Sequence, residues 1–87
     1  MYRIEFAKKA AKFYQKTDTA TAQRLNRVLE RLTEDPFNLP NIKHLKGELA
    51  GSYRIRMGDI RIIYSVDQAA RIVYIEVIGY RGDVYKA

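Results

Sequence analysis

GSYRIRMGDIRIIYSV, residues 51–66, decides the fold of this chain. Two runs of alternating residues flank the dipeptide Gly58-Asp59, the pattern of two antiparallel strands joined by a two-residue turn. In the first run Tyr53, Ile55 and Met57 alternate with Arg54 and Arg56. In the second, Ile60, Ile62, Tyr64 and Val66 alternate with Arg61, Ile63 and Ser65. Successive side chains on a strand point to opposite faces. The apolar rows therefore mark a core face, and the three arginines share the other.

Working outward, RIVYIEVIGY at 71–80 predicts a third strand after a turn at Asp67-Gln68-Ala69-Ala70. Val73, Ile75, Val77 and Ile78 make it apolar on both faces, as expected of a central strand. Upstream, DPFNLPNIKHLKGELAG at 35–51, with two prolines and two glycines, reads as a loop. Before it lie two stretches of helical period. Ala7, Ala10, Ala11 and Tyr14 share one face of the first; Ala22, Leu25, Val28, Leu29 and Leu32 form the stripe of the second. Thr17 or Asp18 is placed to cap the second helix, and Pro36 disfavours a helical Asp35, so that helix stops near Glu34. Arg27–Glu30 and Arg31–Glu34 have the spacing of helical ion pairs. YRIEF at 2–6 predicts a first strand.

The expected architecture is α+β, a β-α-α-β-β-β two-layer sandwich. A helical hairpin packs on one face of a mainly antiparallel sheet, in a single domain spanning 1–87. The opposite sheet face has no helical cover. It collects Arg54, Arg56 and Arg61, with Lys43 and Lys46 from the preceding loop. Arg81, Tyr85 and Lys86 reach it from the C-terminal segment.

Composition narrows the chemistry. The 87 residues include 16 basic and 10 acidic side chains, a net charge of +6, which favours polyanionic partners. Residues 1–42 and 43–87 each hold 8 basic and 5 acidic residues, so a basic patch arises only through folding. There is no cysteine, which removes disulfides, thiolate metal sites and a cysteine nucleophile. His44 is the sole histidine, so one chain has neither a two-histidine ribonuclease pair nor a multi-histidine metal site. His44 itself reads as a loop residue. The acids are scattered without a magnesium motif, and neither a P-loop nor GxGxxG is present. No metal, other cofactor, small-molecule ligand or membrane partner is expected. With no apolar leader or long apolar run, a cytoplasmic location is expected. Tyr53, Tyr64 and Tyr74 read as core and sheet packing. The arginines differ from an ordinary solvating face because three lie within eight residues, with Asp59 as the sole acid among them. Their planar donor forks match phosphate oxygens two at a time, and several together can hold a phosphate in its transition state.

IKHLKGELAGSYRIRMGDIRIIYSVD, the apolar strand IVYIEVIGY and the ending RGDVYK together resemble the RelE/ParE toxin superfamily of prokaryotic toxin–antitoxin systems, over nearly the whole chain. Within it, RelE-like members cleave mRNA on the ribosome by metal-independent attack of a 2′-hydroxyl on the adjacent phosphate. ParE-like members instead poison DNA gyrase without nuclease chemistry. The resemblance implies a cognate, RelB-like antitoxin and, for the RelE branch, ribosome and mRNA as partners. It places Arg54 and Arg56 where the branch carries basic residues, often lysines. It makes Arg61 and Arg81 the phosphate-binding arginines and Tyr85 the tail tyrosine. Lys43, Lys46 and Lys86 add attraction to RNA. Filled positions at all five catalytic places favour RelE-like chemistry; a gyrase inhibitor and a plain RNA-binding domain are the alternatives. A guanidinium does not lose its proton in a neutral site, so Arg54 and Arg56 are suited to electrostatic stabilisation and not to proton abstraction.

Overall fold

The computed structural model describes residues 1–82. Its elements are β1 (Arg3–Phe6), α1 (Lys8–Lys16), α2 (Thr19–Glu34), β2 (Ile42–His44), a short 3-10 helix (Gly47–Leu49), β3 (Tyr53–Met57), β4 (Ile60–Asp67) and β5 (Ile72–Tyr80). The five strands form one sheet in the order β1-β5-β4-β3-β2. β1 runs parallel to β5; every other neighbouring pair is antiparallel. Both helices lie on the same face. This is the expected α+β sandwich with one further strand.

That strand, β2, corrects the reading of 35–51 as loop. IKH is too short to display a period. It becomes a strand because the outer edge of β3 offers free backbone groups, and Ile42, Lys43 and His44 pair there with Ile55, Arg54 and Tyr53. β5 is an interior strand, flanked by β1 and β4, while β4 holds the centre of the sheet.

α2 ends at Glu34 for the reason the sequence supplies. Asp35 is extended, and its carboxylate accepts hydrogen bonds from the backbone N–H groups of Phe37 (3.0 Å) and Asn38 (3.2 Å). The Phe37 amide is the main cause of an Asp35 carboxyl held below its ordinary range. At the other end Asp18 takes the N-cap place in extended conformation without a side-chain cap hydrogen bond. The anticipated Arg27–Glu30 and Arg31–Glu34 pairs do not close; among the described residues the ion pair formed is Arg3–Glu5, at 3.2 Å on the surface. Solvated side chains gain too little from such a contact to be held in one rotamer.

The core lies between the helices and one sheet face. Ala10, Leu25, Leu29 and Leu32 meet Ile55, Met57, Ile60, Ile62, Tyr64, Val73, Ile75 and Ile78. Tyr53 and Tyr64 stack at 5.4 Å between ring centres, and the Tyr64 hydroxyl donates to the Pro36 carbonyl at 2.7 Å. That bond fastens the segment after α2 to the middle of the sheet. Tyr74 departs from this pattern: it lies on the opposite face, 37% exposed. Leu25 is fully buried, so Leu25→Ala should lower the unfolding free energy by ~2–5 kcal/mol. Urea denaturation checks this; a loss below ~1 kcal/mol would mean that the α2 stripe does not carry the packing assigned to it. Among the described residues no helix is long and apolar enough to cross a membrane.

Candidate active site on the sheet face opposite the helices

Strand register assembles the arginines. Arg56 lies directly across from Arg61, which lies across from Gly79 on β5. One step along, Lys43, Arg54, Ile63 and Val77 form the next cross-strand row. Directly opposed side chains stand about 5 Å apart at Cβ, so Arg56 and Arg61 are forced together. Gly79 contributes no side chain beside Arg61, leaving its row open toward the end of β5, where Arg81 follows. The result is a depression of about 380 Å³ lined by Arg54, Arg56, Arg61, Arg81 and Gly82. All four arginines singled out in the sequence converge there.

A β-bulge shapes the far side of these rows. Tyr64 pairs with Ile75 but Ile63 with Val77, so Glu76 is an extra residue on β5. The shift explains why Val73, Ile75 and Ile78 all reach the helix side although their spacing is not strictly two. Glu76 is turned to accept a hydrogen bond from the Ser52 hydroxyl at 3.2 Å. It is not among the residues that line the arginine depression.

Arg61 is not the freely projecting side chain that the alternation suggests. It is only 8% exposed, and Ile63 in the next row is 1% exposed, although no described helix covers this face. The Arg61 guanidinium donates through one Nη to the carbonyls of Gly58 (2.9 Å) and Ile60 (3.4 Å). Arg81, in contrast, is exposed at the end of β5, and its backbone N–H donates to the Asp59 carbonyl at 2.8 Å. The part played by these two turn carbonyls was not read from the sequence; the available signal was the two-residue turn just before Arg61.

Arg54 belongs to two further depressions. One, about 390 Å³, is lined by Asn41, Ile42, Lys43, Arg54 and Arg56. The other, about 400 Å³, is lined by Lys43, His44, Leu45, Lys46, Leu49 and Arg54. Lys43 and Lys46 thus stand beside the arginines, Lys43 from β2 and not from a loop. His44 also sits on β2, but its ring meets Tyr53 at 4.7 Å on the helix side of the sheet. Tyr64 is no base either: burial, aided by Tyr53 and Asp35, pushes its hydroxyl well above the ordinary range. Tyr85 and Lys86 lie outside the described residues. A separate depression between α1 and β5, lined by Lys9, Lys12, Phe13, Lys16, Thr17, Ile78 and Tyr80, is on the helix side and apart from the arginines. Among the described residues no group of three or more His, Asp or Glu side chains converges as metal ligands would.

Chemically, the site is a set of converging cationic forks on a sheet face, one of them, Arg61, held by backbone carbonyls, and is suited to binding an anion with several oxygens. No curated protein matches the chain. Solved structures do. The RelBE2 toxin–antitoxin complex of Mycobacterium tuberculosis contains a chain 26% identical, with 92% of this chain and 98% of that one covered and a TM-score of 0.78. A chain of the RelE–RelB complex from Pyrococcus horikoshii is 29% identical, with 94% and 97% covered and a TM-score of 0.76. A YoeB/ParE toxin from Agrobacterium tumefaciens, 19% identical over 91% and 98% of the chains, shares the fold at a TM-score of 0.81. The family model for the ParE toxin of the type II toxin–antitoxin system parDE matches residues 4–85. With nearly its whole length matched, the chain belongs to that ParE toxin family, within the RelE/ParE superfamily of type II toxins.

Proposed function

We propose that this toxin is a ribosome-dependent endoribonuclease that cleaves mRNA and so inhibits translation. The observation that carries the reading is the convergence of Arg54, Arg56, Arg61 and Arg81 on one depression. A 2′-hydroxyl oxygen attacks the adjacent phosphorus, the bond from phosphorus to the 5′ oxygen breaks, and a 2′,3′-cyclic phosphate and a 5′-hydroxyl result. The proton lost by the 2′-hydroxyl goes to a base, and the departing 5′ oxygen gains one. Negative charge builds on the non-bridging oxygens during the step, and preorganised donors stabilise it more than they stabilise the ground state. Arg61 and Arg81 hold the scissile phosphate; Arg54 and Arg56 orient and neutralise the backbone. Lys43, Lys46 and Lys86 draw RNA in, and Tyr85 orients the 2′-hydroxyl or assists its proton transfer. The chain's partners are the ribosome, mRNA and a RelB-like antitoxin, the last supported by the toxin–antitoxin complexes among the similar structures.

A second reading, a gyrase inhibitor without nuclease activity, is favoured by the ParE description of the matching family model. Primer extension on cellular transcripts after induction separates the two. New 5′ ends confined to translated frames are expected. Intact transcripts accompanied by loss of DNA supercoiling would reject the nuclease and leave gyrase inhibition.

A further inference from the structure

We infer that the Gly58-Asp59 turn is the positioning element of the arginine site, and that Gly58 is a positioning residue for both Arg61 and Arg81. This rests on the nuclease reading. The two residues supply consecutive carbonyls. Gly58 accepts from the Arg61 guanidinium at 2.9 Å, and Asp59 accepts from the Arg81 backbone N–H at 2.8 Å. The turn therefore fixes one arginine by its side chain and the other by its main chain. The turn acts where the β4–β5 ladder ends: Arg61 stands at the start of β4 across from Gly79, and Arg81 follows the last residue of β5. Arg61 is the more dependent. Its side chain is buried, and among the described residues its hydrogen bonds go to backbone carbonyls and not to an acid. A buried cation so held keeps one geometry only while those carbonyls stay in place.

Gly58 is what allows the turn to take this shape. Its φ is +60°, whereas Asp59 does not share a positive φ, which is the pattern of a type II′ hairpin turn with glycine first. A β-branched residue at such a φ is strained, and relief of that strain rotates the peptide planes that carry both carbonyls. Space alone is not the constraint. A Cβ on Gly58 would meet the Arg24 guanidinium at 2.9 Å, but that is the free end of a long exposed side chain and can swing aside.

The test compares wild type, Gly58→Asn and Gly58→Val with two readouts: single-turnover mRNA cleavage in programmed ribosomes, and amide hydrogen exchange by NMR on the isolated full chain. Asparagine is among the residues these turns accept; valine is not. In wild type the Arg81 amide should exchange slowly although its residue is exposed, because Asp59 holds it. Gly58→Val should lose that protection while core amides such as that of Ile62 keep theirs. Its maximal cleavage rate should fall on the order of 10- to 100-fold with little change in half-saturating concentration, the effect of misplacing groups that act in the transition state. Gly58→Asn should retain both the protection and the rate to within a few-fold. A variant that loses Arg81 protection but keeps its rate, or loses its rate with protection intact, overturns the inference. So does an unprotected Arg81 amide in wild type. If wild type protects Arg81 yet cuts no mRNA, the functional reading fails and the turn's catalytic consequence falls with it, while its structural role stands.

Discussion

Arg81→Ala is expected to slow mRNA cleavage in programmed ribosomes by ~10²–10³-fold and to abolish toxicity while leaving the melting curve unchanged. The side chain is exposed, and the contact that anchors this position is the backbone N–H, which alanine retains. What is lost is one charged donor directed at the depression. Arg61→Ala is expected to lose activity by a similar factor but also to destabilise the fold, because Arg61 is 8% exposed and bonded to the Gly58 carbonyl. A buried charge-assisted hydrogen bond is worth ~1.5–3 kcal/mol. In a domain of this size each kcal/mol shifts the melting temperature by roughly 4–8 °C, so the two variants separate in a thermal scan. On the proposed nuclease reading both arginines act on one transition state, so double substitution should cost less than the product of the single effects. Undiminished toxicity of folded Arg81→Ala would reject the ribonuclease and leave gyrase inhibition as the better account.

The purified toxin is expected to leave naked RNA intact and to cut the same message once it occupies a programmed ribosome. The arginine depression provides binding and charge stabilisation but no described group that takes a proton at neutral pH. A guanidinium remains protonated. His44 does not line that depression and its ring meets Tyr53, and the Tyr64 hydroxyl is buried and donates to Pro36. General acid–base assistance is worth ~10²–10⁴-fold, and on the proposed nuclease reading the ribosome would supply it or bend the message into line. Incubating labelled transcript with toxin alone, and with toxin plus ribosomes stalled on that transcript, measures the difference. Efficient cutting of naked RNA in EDTA would show that the chain itself carries a complete acid–base set.

Much of this molecule is legible in its residues because the patterns are local. The alternation around Gly58-Asp59 specifies a hairpin and sorts Ile55, Met57, Ile60 and Ile62 from Arg54, Arg56 and Arg61. The leucine stripe and Pro36 specify α2 and its end. Those two facts suffice for helices on one face and arginines on the other, since an apolar stripe must be covered and a row of charges must not be. What tertiary structure alone decided are features with no local signature. β2 exists only because β3 has a free edge, and a three-residue strand carries no period of its own. The bulge at Glu76 depends on how β5 fits β4, and it turns Ile78 inward and directs Glu76 to Ser52. The burial of Arg61 has no local signature either; its alternation in sequence is that of a solvated side chain. The anchoring of Arg61 by Gly58 is local to the hairpin, but that of Arg81 by Asp59 is not: only the meeting of the hairpin with the end of β5 brings that N–H and carbonyl within hydrogen-bonding distance.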